Sequence, residues 1–168
     1  MKFTEGPRAN GGFFFDLLKT VYLSKEIFMA ARISITRKEH FNAAHRLFRS
    51  DFSDEQNLEV FGKCSNPLWH GHNYTLFVTV CGETDPETGF VINLKILSKL
   101  IRELVIEKVD HKNINLEVDF MKGRLASTEN LAIGIWEVLE IPVVSYGAKL
   151  EKITLYETEN NFVEYYGK

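Results

Sequence analysis

The sequence predicts an α+β domain in which an antiparallel sheet carries both main helices on one face. Three observations lead there. Strand-like segments come in hairpin-like pairs, two helical stripes follow one another between those pairs, and turn-forming residues separate the elements. The 168 residues, 45% hydrophobic and 26% charged, suit one soluble domain able to bury a core.

Residues 1–28 read differently from the rest. Gly6-Pro7 and Asn10-Gly11-Gly12 punctuate the start, and Phe13-Phe14-Phe15 leads an irregular apolar segment. Met29 can serve as an alternative start, which would make 1–28 an extension and 29–168 the domain. A targeting peptide is the rival reading, opposed by Glu5, Asp16 and Glu26.

From Arg32 the elements are legible in order. Ile33 and Ile35 alternate with polar neighbours and begin a strand running toward Phe41. Ser53-Asp54-Glu55-Gln56 is a capping box for a short helix that stops near Gly62. His72 to Cys81 is rich in β-branched and aromatic residues, a strand. Asp85-Pro86-Glu87-Thr88-Gly89 is turn chemistry, with a short return strand expected through Val91. Asn93 caps a long helix whose stripe is Leu97, Leu100, Ile101, Leu104 and Val105. Thr128 is the expected N-cap of a second helix, marked by Leu131, Ile135 and Leu139 and stopped by Pro142. Two closing strands, about 150–157 and 162–166, meet at Asn160-Asn161. One sheet face and the edges stay uncovered in this arrangement, and oligomerisation would shield them.

Bulk properties exclude several classes. A net charge of −3 gives no basic excess for nucleic acid. The stretch 13–31 holds Asp16, Lys19, Lys25 and Glu26, so neither a membrane span nor a secretory signal is expected. Cys64 and Cys81 do not make a disulfide framework, and a reducing, cytoplasmic compartment is the expectation.

The chemistry concentrates in a few residues. His70 and His72 lie two apart on a strand, so both imidazoles face one way and can reach one metal ion. His45, ending the first strand, can supply a third ligand and leave a coordination position open, as catalytic zinc sites do. His40 differs in parity from His45 and reads as an ordinary strand histidine. Cys64 sits among turn formers, Gly62-Lys63-Cys64-Ser65-Asn66-Pro67, where a reactive thiol and an inert one are both open readings. Cys81, in an apolar strand, reads as structural. Asp110-His111 follows the long helix and is open between a helix-end role and a polarising pair. Glu157 continues the apolar face of Ile153 and Leu155, a costly place for a carboxylate unless paired. Two adjacent N–H donors, as on a pterin or guanine edge, would satisfy it; the rival reading is that the strand simply ends and Glu157 is solvated.

Together these runs resemble the 6-pyruvoyl-tetrahydropterin synthase family from about Arg32 to Gly167. The resemblance rests on His40-Phe41-Asn42-Ala43-Ala44-His45-Arg46-Leu47 and Cys64-Ser65-Asn66-Pro67-Leu68-Trp69-His70-Gly71-His72-Asn73-Tyr74. It extends to Gly89-Phe90-Val91-Ile92-Asn93-Leu94, Asp110-His111-Lys112-Asn113, Ser127-Thr128-Glu129-Asn130 and Tyr156-Glu157-Thr158-Glu159-Asn160-Asn161. It implies the tunnelling fold, a four-stranded antiparallel sheet with two helices on one face, the sheets of several subunits joining into a barrel. Zn2+ would be held by His45, His70 and His72, with Cys64, Asp110 and His111 as the proton-transfer group. Glu157 would anchor the pterin, with Thr128 and Glu129 in a second pterin-contacting segment. The implied reaction turns 7,8-dihydroneopterin triphosphate into 6-pyruvoyl-tetrahydropterin and triphosphate. The implied assembly is a homohexamer of two trimers with active sites between subunits.

Two rivals share this fold. One is 6-carboxytetrahydropterin synthase, whose members usually have a gap shorter than the six positions from Cys64 to His70. The other is a non-catalytic zinc- or pterin-binding protein, opposed by the intact Cys64 and Asp110-His111. Arg46 and Lys63 are nearby candidates for the triphosphate.

Overall fold

The structure is a computed structural model that describes residues 32–167, so the expected extension 1–28 lies outside the described residues. Strand β1 (Ile33–His45) alternates as the sequence requires, burying Phe41, Ala43 and His45 and exposing His40 and Asn42. Strand β2 (His70–Gly82) pairs with it antiparallel, in a register that sets His45 opposite His70 and Phe41 opposite Tyr74. Tyr74, Leu76, Val78 and Val80 point into the core.

Between these strands, helix α1 (Asp54–Phe61) starts from the expected capping box, Ser53 and Gln56 bonding each other's backbone, and ends at Gly62 with φ +54°. Helix α2 (Leu94–Ile101) is capped by Asn93 and buries Leu97 and Ile101. It widens into a π-helical turn, Arg102–Ile106, before a last α-turn, Glu107–Val109. Strand β3 (Lys112–Asn113), helix α3 (Ile114–Glu117) and the long helix α4 (Thr128–Val144) follow. Strands β4 (Lys149–Tyr156) and β5 (Phe162–Tyr165) close the sheet, whose order is β3-β1-β2-β4-β5. Helices α2 and α4 supply Leu97, Ile101, Leu131, Ile135 and Leu139 to one core with the inward side chains of β1, β2 and β4.

Several expectations need correction. The sheet has five strands and not four, because Lys112-Asn113 adds a two-residue strand parallel to β1 at Ala43-Ala44. The return strand through Val91 does not form. There, Asp85 N–H donates to Phe90 O at 2.9 Å and Gly89 takes φ +71°, so the segment closes on itself and drops Val91 and Ile92 into the core. The N-cap of α4 is Ser127, which accepts from Asn130 N–H, so Thr128 is the first helical residue. Pro142 does not stop α4, which runs to Val144. Pro142 stands in the last turn, and Ser145 Oγ–H donates to its carbonyl at 2.7 Å, satisfying one of the acceptors that a helix C-terminus leaves open.

Candidate functional site

The sheet register builds the site. Because His45 faces His70 across the β1–β2 ladder and His72 follows on the same face, three imidazoles meet at one end of the sheet. One nitrogen from each lies within 4.8 Å of the others, an arrangement able to hold a metal ion. His45 is 1% exposed, and its Nδ1–H donates to Ala126 O at 2.8 Å. A carbonyl can only accept, so the proton sits on Nδ1 and the bare Nε2 lone pair faces the cluster. No protein group satisfies His45 Nε2, His72 Nε2 or either ring nitrogen of His70 among the described residues. Burial pushes all three pKa values below the ordinary imidazole range, with neighbouring imidazoles and Glu157 acting in smaller measure. Neutral, inward-facing and otherwise unpaired imidazoles are the donor set a divalent cation needs.

Gly71 makes this spacing possible. A Cβ there would stand 2.9 Å from Ala43 O, so only glycine lets β2 lie this close to β1 between the two histidines.

Glu157, just past the end of β4, reaches the same place. Its Oε1 stands 3.5 Å from His45 Nε2 and 3.8 Å from His72 Nε2, and it accepts a 2.9 Å bond from Thr128 Oγ1. Thr128, Glu129 and Glu157 line one cleft with Asn160 and Asn161. A larger cleft of 630 Å³ opens beside it, lined by His72, Asn73, Tyr156 and Glu157. The positions expected to bind metal and pterin therefore converge.

The proton-transfer residues are divided. Cys64 is half-buried in a 3₁₀ turn (Gly62–Ser65), and its backbone oxygen accepts from Leu47 N–H at 2.9 Å. Asp110 and His111 stand at the β1 edge beside Asn42, where His111 Nδ1 meets Asp110 Oδ2 at 3.0 Å. Asn42 N–H donates to Asp110 Oδ1 at 2.8 Å and, as the largest influence, holds that carboxyl below its usual range. His111 is exposed and takes φ +56°, a strained backbone for a non-glycine residue. Among the described residues no hydrogen bond or ion pair joins Cys64 to Asp110 or His111.

Other assignments stand where expected. His40 is exposed on the opposite sheet face, its Nδ1 3.2 Å from Thr75 Oγ1, and Cys81 is buried. Arg46 donates through Nε to Ser65 O at 2.7 Å and lines a pocket with Lys63. Tyr74 carries no role in the sequence reading, and its distinguishing signal is purely structural. It is 1% exposed, stacked on Phe41 at 4.8 Å, with no partner for its hydroxyl among the described residues.

Comparisons with known proteins find relatives along most of the chain. The family model described as 6-pyruvoyl tetrahydropterin synthase matches residues 34–168. The 6-pyruvoyl tetrahydrobiopterin synthase of Pongo abelii is 47% identical over 134 residues, covering 80% of this chain and 91% of that one. The solved 6-pyruvoyl tetrahydropterin synthase of Caenorhabditis elegans superposes with TM-score 0.76 at 39% identity, covering 82% of this chain and 97% of that one. The 6-carboxy-5,6,7,8-tetrahydropterin synthase of Bacillus subtilis is 31% identical over 106 residues, 61% of this chain and 62% of that one. Matched along nearly all of its described length, the protein belongs to the 6-pyruvoyl tetrahydropterin synthase family.

Proposed function

We propose that this protein is a carbon–oxygen lyase of tetrahydrobiopterin biosynthesis, converting 7,8-dihydroneopterin triphosphate into 6-pyruvoyl-tetrahydropterin and triphosphate. One observation carries the reading: three unpaired imidazoles and the Glu157 carboxylate converge at one sheet end in a member of this family. His45, His70 and His72 would hold the ion, and zinc suits three imidazoles with a position left open. Once bound, zinc supplies Lewis acidity to the substrate hydroxyls and makes neighbouring C–H protons removable.

The protein's own residues do the rest. The Glu157 carboxylate accepts two N–H bonds from the pterin edge, oriented by the Thr128 hydroxyl, with Glu129 beside it. Cys64 as thiolate takes the proton from the C–H bond next to a substrate hydroxyl, and the Asp110-His111 pair tunes that transfer. Triphosphate leaves with the electron pair of its C–O bond. The substrate's side chain is oxidised as the ring is reduced, so the electrons balance within the substrate.

Subunits would join their sheets into a barrel, in a hexamer of two trimers with sites completed between subunits. That no hydrogen bond or ion pair joins Cys64 to the Asp110-His111 pair among the described residues supports that assembly.

Product analysis of the zinc-loaded protein with 7,8-dihydroneopterin triphosphate tests the activity. Triphosphate with 6-pyruvoyl-tetrahydropterin is the expected result. Release of 6-carboxytetrahydropterin and a two-carbon fragment would instead assign the carboxy-type reaction. Zinc bound without conversion would assign a binding protein.

A further inference from the structure

Among the described residues, the buried side-chain nitrogens and oxygens without a hydrogen-bond partner belong to four residues only: His45, His70, His72 and Tyr74. A buried polar group left unpaired is costly, so each implies a partner that arrives with a ligand. A metal ion accounts for one nitrogen of each imidazole and leaves the second ring nitrogen of His70 over. It does not account for the phenol, because coordination would require the phenolate. A phenol, whose ordinary pKa is about 10, keeps its proton at neutral pH, so the hydroxyl is there as a donor.

The ring is fixed in place. Phe41 stacks on it at 4.8 Å, and the edges of His72 and His45 stand 5.8 Å and 6.3 Å away between ring centroids. Glu157, already engaged by Thr128, gives Tyr74 no hydrogen bond. What the site offers at Tyr74 is a preset O–H donor whose ring packs against two of the imidazoles that would hold the ion.

Resting on the reading of the site above, we propose that the Tyr74 hydroxyl donates a hydrogen bond to a side-chain oxygen of the bound pterin. Glu157 is an acceptor matched to the N–H groups of the ring, so the donor and the acceptor divide the substrate between them. The oxygen that Tyr74 meets gains negative charge when the adjacent C–H proton is removed, so the bond strengthens toward the transition state.

The test is Tyr74→Phe, which keeps the stack on Phe41 and removes only the hydroxyl. Two probes are titrated into the zinc-loaded protein: 7,8-dihydroneopterin, with a hydroxylated side chain, and 6-methyl-7,8-dihydropterin, with no side-chain oxygen. The expected result is about 10-fold weaker binding of the first and unchanged binding of the second. Turnover number falls about 10- to 100-fold, while zinc content and the ligand-free melting temperature hold. Equal weakening of both probes, weakening of neither, or a lower ligand-free melting temperature would each overturn the proposal, the last by revealing a structural partner for the hydroxyl. The activity fails separately: a wild-type protein that shows the probe difference yet releases no triphosphate refutes the lyase reading and leaves the Tyr74 contact standing. Wild-type protein that binds neither probe overturns both.

Discussion

Gly71→Ala isolates what the strand register does for the metal centre. The new Cβ would lie 2.9 Å from Ala43 O and 3.4 Å from Ala44 Cα, both backbone atoms that no rotamer change can move. A carbon–oxygen approach becomes comfortable near about 3.3 Å, so β1 and β2 must part by roughly 0.4 Å at this point. Metal coordination tolerates about 0.2 Å. The displacement acts where His45 stands opposite His70, so it separates ligands from opposite strands. We expect zinc affinity to fall about 10- to 100-fold, the scale seen when groups that orient ligands are lost. Overpacking adds about 1–3 kcal/mol of destabilisation. Equilibrium dialysis against a competing chelator gives the affinity, and melting with and without chelator gives the stability. Wild-type zinc affinity together with an unshifted melting temperature would refute the claim that close strand approach at Gly71 sets the cluster.

Three further outcomes are expected. Cys64→Ala should lower turnover at least about 100-fold while zinc and pterin still bind; full turnover would end its proton-transfer role. Thr128→Val removes the 2.9 Å bond to Glu157 and should weaken 7,8-dihydroneopterin binding about 3- to 10-fold without changing zinc content, and calorimetry showing equal affinity would contradict the orienting role. Burial lowers the pKa values of His45, His70 and His72, so between about pH 6.5 and those lower folded values the unfolded protein takes up protons that the folded site refuses. Stability from the neutral cluster is therefore whole above about pH 6.5 and declines as pH falls through that window, with zinc released over the same range. Zinc retention and melting temperature followed from about pH 7.5 to 5 check this, and a flat profile would count against it.

The site is legible in the sequence to the extent that it obeys local rules. Two-residue parity places His70 and His72 together and separates His40 from His45, as the β1–β2 ladder does. Caps at Ser53 and Asn93 read correctly because each satisfies helix N–H groups through a side chain within one turn. Strand β3 is invisible, since two residues carry no alternation and their pairing with Ala43-Ala44 is long-range. Val91 and Ile92 look like a strand because apolar pairs bury equally well in a turn that folds inward. Thr128 lies one position past its expected cap, and that single step turns its hydroxyl from the helix backbone toward Glu157. Tyr74 looks like any inward aromatic of β2, because nothing in a sequence marks a hydroxyl that lacks a partner.

The excursion between β1 and β2 is pinched shut at its base. Leu47 N–H meets Cys64 O at 2.9 Å, and Arg46 Nε meets Ser65 O at 2.7 Å, directly beside His45. Everything from Phe48 to Lys63, helix α1 included, hangs outside that clasp. The polypeptide thus has two kinds of length: a short run from Cys64 to His70 that leads from the clasp straight into β2, and a slack bight outside it. Doubling the bight would cost only about 0.6 kcal/mol in closure entropy. Evolutionary insertions and deletions are accordingly free to accumulate there, whereas a residue gained or lost between Cys64 and His70 must be absorbed between the clasp and the β1–β2 ladder.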